Sequence, residues 1–175
     1  MELLTEIVPK LTRVAILSNP SNPFSPLALK ETETAARTLG LSFQLLEVRS
    51  PDELEAAFAT AAKERAGGLL VVQDAMFLAQ RIRLADLAAK SRLPTIYGIS
   101  EHVEAGGLIA YAASRPEIFR RAATYVDKIL KGAKPAELPV EQPTKFELII
   151  NLKVAKALGL AISESFLLRA DKVIE

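Results

Sequence analysis

The sequence predicts an α/β fold, a parallel sheet flanked by helices on both faces. Three observations lead there. Short, almost wholly apolar runs alternate with amphipathic stretches three times before residue 100. Those runs are apolar at successive positions, as strands covered on both faces must be. The 175 residues are 50% hydrophobic, enough to bury a sizeable core.

Each element has its own justification. Arg13 to Leu17 is a buried-strand run, ending in the turn Ser18-Asn19-Pro20-Ser21-Asn22-Pro23. Pro26 suits the first turn of the following helix, and Leu39-Gly40 closes it. Phe43 to Val48 is the second strand. Ser50-Pro51-Asp52-Glu53 has the spacing of a capping box, and Leu54, Ala57, Phe58 and Ala61 share one face of the helix behind it. Gly68 to Gln73 is the third strand. Its helix places Leu78, Ile82, Ala85 and Ala89 inward and leaves Arg81, Arg83 and Lys90 to solvent. Pro94 to Ile99 is the fourth strand and Leu108 to Ala112 a fifth. Ser114-Arg115-Pro116-Glu117 is a second capping box, opening a helix with Phe119, Ala123, Val126 and Leu130 inward and Gly132 as its stop. Lys134 to Pro143 carries three prolines and reads as an extended connector. Phe146 to Ile150 is a strand, and Asn151 caps a short helix that Gly159 ends. Ser163 caps the last helix, with Phe166, Leu167, Ala170 and Val173 at helical spacing.

Composition removes several classes of function. Lys+Arg 22 against Asp+Glu 21 leaves a net charge of +1 with no basic stripe, so no nucleic-acid role is expected. Cysteine is absent, which excludes disulfides, thiolate metal sites and cysteine nucleophiles. The one histidine, His102, cannot supply two imidazoles to a metal. No residue pattern asks for a cofactor. Met1 to Lys10 has neither the basic start nor the apolar core of an export signal, so the chain as written reads as cytoplasmic.

Ligands of open parallel sheets sit beyond the carboxyl ends of the strands. Three loops fall there. Ser18 to Pro23 offers Asn19, Asn22, Ser18 and Ser21 ahead of a helix start, either as ligand donors or as turn and capping groups. Gln73-Asp74-Ala75-Met76-Phe77 offers a carboxylate for a ligand ammonium and an aromatic cover in Phe77, or else Asp74 is a helix N-cap. The third loop contributes Ser100 and Glu101. Tyr111, ending the fifth strand, is either a pocket wall or a core tyrosine with its hydroxyl at the surface.

Catalysis finds little support. The chain has no G-x-S-x-G elbow, Walker loop or G-x-G-x-x-G, and no motif sets a serine beside His102. Asp74 and Ser100 fit two positions of a phospho-receiver domain. The first strand, however, ends in Ser18-Asn19 rather than an acidic pair, and no lysine follows the fifth. A cytoplasmic ligand-sensing or receiver-like regulatory domain is therefore the alternative reading, with a small α/β enzyme third.

Six segments carry a resemblance: Arg13 to Pro23, Val48 to Leu54, Leu93 to Gly98, Ala105 to Tyr111, Ala122 to Pro143 and Asn151 to Leu160. In this order they resemble the ABC-transporter substrate-binding proteins of the tryptophan/tyrosine-transporter type. The resemblance implies a non-catalytic solute-binding component of an importer, with an ABC permease as partner and the periplasm as its compartment. It also implies the second lobe of a two-lobed type I periplasmic-binding-protein-like fold, so that the chain corresponds to a C-terminal half. On that reading residues 1–103 form an α/β lobe. Residues 104–138 are a returning segment belonging to a first lobe, and 139–175 pack back on the α/β lobe. The family's ligand loops map onto Ser18, Asn19, Ser21, Asn22, Asp74, Ser100 and Glu101, and Tyr111 matches the returning strand. The expected ligand is a small polar organic solute, such as an amino acid or carboxylate. Apolar surface left without a first lobe leads us to expect a homodimer, with element exchange as one route to it.

Overall fold

The structure, a computed structural model, describes residues 1–175. Seven strands form one sheet in the order β2-β1-β3-β4-β5-β6-β7. They are β1 Arg13–Ser18, β2 Ser42–Glu47, β3 Gly68–Val71, β4 Thr95–Tyr97, β5 Ile109–Ala113, β6 Phe146–Asn151 and β7 Lys172–Ile174. All neighbours pair in parallel except β5 with β6. The expected α/β class with a mostly parallel, doubly covered sheet is what the chain forms.

Alternation along each strand divides the core into two layers. Ala15, Leu17, Leu69, Val71 and Tyr97 face one layer, covered by α3 (Leu54–Lys63), α4 (Ala75–Ala79), α5 (Arg81–Lys90) and α6 (Glu101–Glu104). Val14, Ile16's neighbour on the same strand, faces the other layer with Leu70, Ile96 and Ile109, under α1 (Glu2–Ile7), α2 (Ser25–Thr38), α8 (Leu152–Leu158) and α9 (Glu164–Leu167). Leu54, Ala57, Phe58 and Ala61 are buried together, as their spacing predicts. No helix is long and apolar enough to cross a membrane.

Several local expectations are corrected. The pattern over 75–90 is two helices meeting at Gln80, not one. The break resets the phase, so Leu84, Ala85 and Ala88 are buried while Ile82 and Ala89 are exposed. Arg83 stays accessible to solvent, as expected, and its guanidinium also forks onto Glu55 of α3, at 2.9 and 2.6 Å. At Ser50 a single 3-10 turn over Pro51–Glu53 precedes α3, and the hydroxyl makes no cap bond. Neither half of the box forms: the Glu53 carboxylate accepts from the Arg49 N–H at 2.7 Å, one residue before the Ser50 N–H that a box would use. The second box does not form: Ser114 makes no capping bond and Glu117 pairs with Arg120. Ser163 does cap a helix, its Oγ accepting from the Phe166 N–H at 3.2 Å, but that helix stops after one turn. Val173 then lies in β7, opposite Ile150, rather than on a helix face.

Residues 114–145 leave the sheet and return to it. β5 itself lies within the sheet, and the chain leaves it at Ser114. Ala113 faces Phe146 across the antiparallel pair, and the Ser114 N–H donates to the Lys145 carbonyl at 2.9 Å, so both ends are pinned side by side. Between them runs α7 (Arg115–Leu130) and an extended strap. α7 has no buried residue. Phe119, Val126 and Leu130, expected inward, are 64%, 55% and 82% exposed, and Ala123 is exposed too. The strap runs along the neighbouring stripe without burying it. Tyr125 Oη donates to the Pro139 carbonyl at 2.6 Å and Arg121 pairs with Glu141.

Candidate functional site

The loops after β1 and β3 are tied together by one carboxylate. Asp74 is the N-cap of α4, its Oδ1 accepting from the Met76 and Phe77 N–H groups at 2.8 and 3.2 Å. Its Oδ2 accepts from Asn19 Nδ2 at 3.2 Å and Asn22 Nδ2 at 3.0 Å. Four donors occupy the two oxygens, and the residue is buried. Both readings of Asp74 therefore meet in one group: it caps a helix, and it arranges the first loop.

That loop is internally knotted by its own polar groups. Asn19 Oδ1 accepts from the Ser21 N–H, Asn22 Oδ1 accepts from the Phe24 N–H, and Ser25 Oγ donates to the Asn19 carbonyl at 2.6 Å. Ser18, closing β1, is buried, whereas Ser21 is exposed. Phe24 is thereby held at the rim, 75% exposed.

A cavity of about 420 Å³ opens at this sheet edge. Asn22, Phe24 and Gln73 form its polar and aromatic rim, Leu70 and Ile96 its floor, and Tyr111 its far wall. Tyr111 is half exposed and stacks on Phe146 with ring centroids 5.6 Å apart. Gln73 Nε2 donates to the Gly98 carbonyl across the gap between β3 and β4. A Cβ at Gly98 would lie 2.6 Å from Gln73 Cγ, so glycine is what lets this side chain cross.

Of the residues singled out in the sequence, Asn22 and Tyr111 line the cavity, and Ser18, Asn19 and Asp74 stand behind it. Phe77 does not reach it. Its ring is fully buried in the layer on the opposite face of the sheet, because the helix that Asp74 caps turns it inward. Ser100 and Glu101 lie at the start of α6, away from this lining. Glu101 Oε1 pairs with Arg115 Nη1 at 2.6 Å, joining α6 to the first turn of α7, while its Oε2 is buried without a partner. Gln73, Phe24 and Gly98 were not among the chosen site residues. Their position at strand ends was visible, but their convergence depends on which strands are neighbours.

His102 connects two of these loops from below. Its Nδ1 lies 3.2 Å from the Ile99 carbonyl and its Nε2 3.3 Å from the Phe77 carbonyl, with the ring stacked on Tyr97 at 4.6 Å. Burial pushes its imidazole below the ordinary histidine range, only partly opposed by the two carbonyls. Burial likewise pushes the Tyr97 phenol up. A second cavity, of about 590 Å³, lies between α7 and the strap, and none of the candidate ligand residues lines it.

Comparison with known proteins gives a consistent picture. The family described as "ABC transporter substrate binding protein" matches residues 1–174. No curated protein matches. A solved ABC domain from Streptococcus pneumonia, in complex with L-Trp, is 25% identical with a TM-score of 0.92, covering 99% of this chain and 58% of that one. A conserved domain protein from Vibrio cholerae is 23% identical, with a TM-score of 0.91, and 98% of this chain covers 58% of it. A ligand-free, open substrate-binding protein with adhesive properties from Clostridium difficile shares the fold at 20% identity and a TM-score of 0.74, again over 99% and 58%. The chain thus spans little more than half the length of these structures.

Proposed function

From the chain's membership of the ABC transporter substrate-binding protein family, over residues 1–174, we propose that it binds a small polar organic solute for an ABC importer. An amino acid or a carboxylate is the expected solute class, and the solved relative that holds L-Trp supports the amino-acid side of it. An ABC permease is the expected receiver of the solute. The compartment expected from the family is periplasmic or extracellular.

The observation that carries this reading is the convergence at one sheet edge. Asn19 and Asn22 from the first loop and Asp74 from the second are locked into one hydrogen-bonded unit beside a cavity walled by Tyr111. A preformed cavity with a few fixed polar groups is what small-solute recognition needs. In this arrangement Asn22, Gln73 and Tyr111 meet the solute, and Asp74 with Asn19 positions them. Ser18 and Ser21 belong to the same loop, whereas Ser100 and Glu101, at the start of α6, stand outside the cavity lining. A second copy of the chain is the other proposed partner, forming a homodimer.

Thermal-shift screening against L-amino acids and small carboxylates tests the reading. One class is expected to raise the melting temperature saturably, a hundredfold excess over Kd being worth about 2.7 kcal/mol. That rise should shrink in Tyr111→Ala and Asn22→Ala. A flat response across the panel, from a chain that melts cooperatively, would overturn it.

A further inference from the structure

Charge sets the sheet-edge cavity apart from the rest of the surface. The chain is 25% charged, yet no side chain lining this cavity is a carboxylate, an ammonium, a guanidinium or an imidazole. Met1 also lines it, and burial pushes its α-amino group below the ordinary range, away from the charged form. Asp74, the carboxylate behind the cavity, has both oxygens filled by four N–H donors and offers nothing to a solute ammonium. The amides are spent in the same way. Asn22 Nδ2 donates to Asp74 Oδ2 at 3.0 Å and to the Gln73 carbonyl at 3.4 Å, and its Oδ1 already accepts from the Phe24 N–H. Gln73 Nε2 donates to the Gly98 carbonyl, which can only accept, so this bond fixes which end of the amide is which. Its Oε1 is left without a donor from the protein, on an exposed side chain of the cavity rim.

We propose that the part of the solute seated in this cavity is uncharged, an apolar body carrying an N–H or O–H donor, and that Gln73 selects for it. This rests on the solute reading above and narrows the class of solute which that site takes. The walls supply the apolar contact: Leu70 and Ile96 form the floor, and the Phe24 and Tyr111 rings, 75% and 50% exposed, stand at the rim and the far wall. Gln73 Oε1 receives the donor. Gly98 positions it, since a Cβ there would lie 2.6 Å from Gln73 Cγ and push the side chain out of line. A solute carboxylate entering here would meet no cation and would face Oε1 lone pair to lone pair. A solute ammonium would meet neutral acceptors and no countercharge. Either ion would shed water without an ionic partner, which costs more than the loss of one neutral hydrogen bond. The ionised groups of an amino acid therefore lie outside this cavity and its side chain inside. The polar groups of the rim are fixed by bonds within the chain, whatever closes over the cavity mouth.

Melting curves of the chain over concentration series of single amino acids test the proposal. L-Methionine, L-glutamate and L-lysine have side chains of similar length and differ in charge, and the first should bind at least about tenfold more tightly than either of the others. L-Tyrosine should bind about fivefold or more tightly than L-phenylalanine, which lacks only the hydroxyl. Gln73→Leu should abolish that difference. Gln73→Glu should bring L-lysine level with L-methionine or above it, by giving the cavity the carboxylate it lacks. Gln73 is exposed, so both variants should melt as cooperatively as the wild type. Equal affinity for L-glutamate and L-methionine overturns the exclusion of charge, and a tyrosine preference that survives Gln73→Leu overturns the role of Gln73. Binding confined to charged solutes overturns the proposal while the solute reading stands, whereas a chain that responds to no solute at all overturns both.

Discussion

Asp74 shows how one side chain can serve stability and recognition together. Its carboxylate satisfies two otherwise free N–H groups of α4 and two amides of the first loop. Asp74→Ala removes a helix cap, leaves the buried Asn19 amide short of an acceptor and leaves the half-buried Asn22 amide only the Gln73 carbonyl at 3.4 Å, so a loss of about 2–4 kcal/mol is expected in urea unfolding. A loss below about 0.5 kcal/mol would mean that water replaces the carboxylate. The sequence showed Asp74 both as a cap and as a site residue, and it could not rank them, because the Asn amides that saturate it come from a loop more than fifty residues away. Phe77 is the converse case: its position in a loop suggested a cover for ligand, and only the direction of the capped helix shows that the ring turns to the core. His102 gives a pH prediction with a definite sign. The unfolded chain takes up a proton near pH 6.5, while the buried imidazole resists it to lower pH. The unfolded state then holds more protons, so the stability contributed above about pH 6.5 declines as the pH falls, by at most ~1.4 kcal/mol per pH unit. Denaturant unfolding of wild type and His102→Gln at pH 7.5, 6.5 and 5.5 should show the steeper decline in wild type; parallel declines would refute it.

Among the elements, β1, β3 and β4 were legible because a doubly covered parallel strand is apolar at nearly every position, a pattern with few competitors. The C-terminal end was not. Phe166, Leu167, Ala170 and Val173 fit a helix by spacing, yet the chain leaves α9 and adds β7 to the sheet. The deciding contacts are non-local: the Asp171 N–H donates to the Leu148 carbonyl at 2.9 Å and its carboxylate accepts from the Leu148 N–H at 2.8 Å. α7 illustrates a different limit, since an amphipathic period identifies a face without naming what covers it. Close approach between elements was also invisible. A Cβ on Gly107, at the entry to β5, would lie 2.6 Å from Tyr97 Cε2 and 2.8 Å from the His102 carbonyl oxygen. Gly107→Ala should therefore cost about 1–3 kcal/mol by forcing α6 and β4 apart. An unchanged unfolding midpoint would show that the turn yields freely.

Across the whole molecule, protection is divided unevenly. The central strands β1, β3 and β4 are buried on both faces, whereas α7 and its strap touch little besides each other. Hydrogen exchange should find amides of α7 opening far below the global unfolding free energy, with those of β1 and β3 exchanging only through it. Equal protection in both would contradict this division.

The pinned ends of the 114–145 excursion have an engineering consequence. Ala113 and Phe146 already face each other as antiparallel partners, so the two strands are a hairpin whose connection happens to be long. An Asn-Gly dipeptide joining Ala113 directly to Phe146 suits such a junction, since a two-residue turn matches the twist of antiparallel strands. The excised chain would keep its seven-stranded sheet and close a far shorter loop at lower entropic cost. The same junction is a graft point, where a foreign helix or reporter could be spliced in place of the native one while the sheet-edge cavity stays as it is.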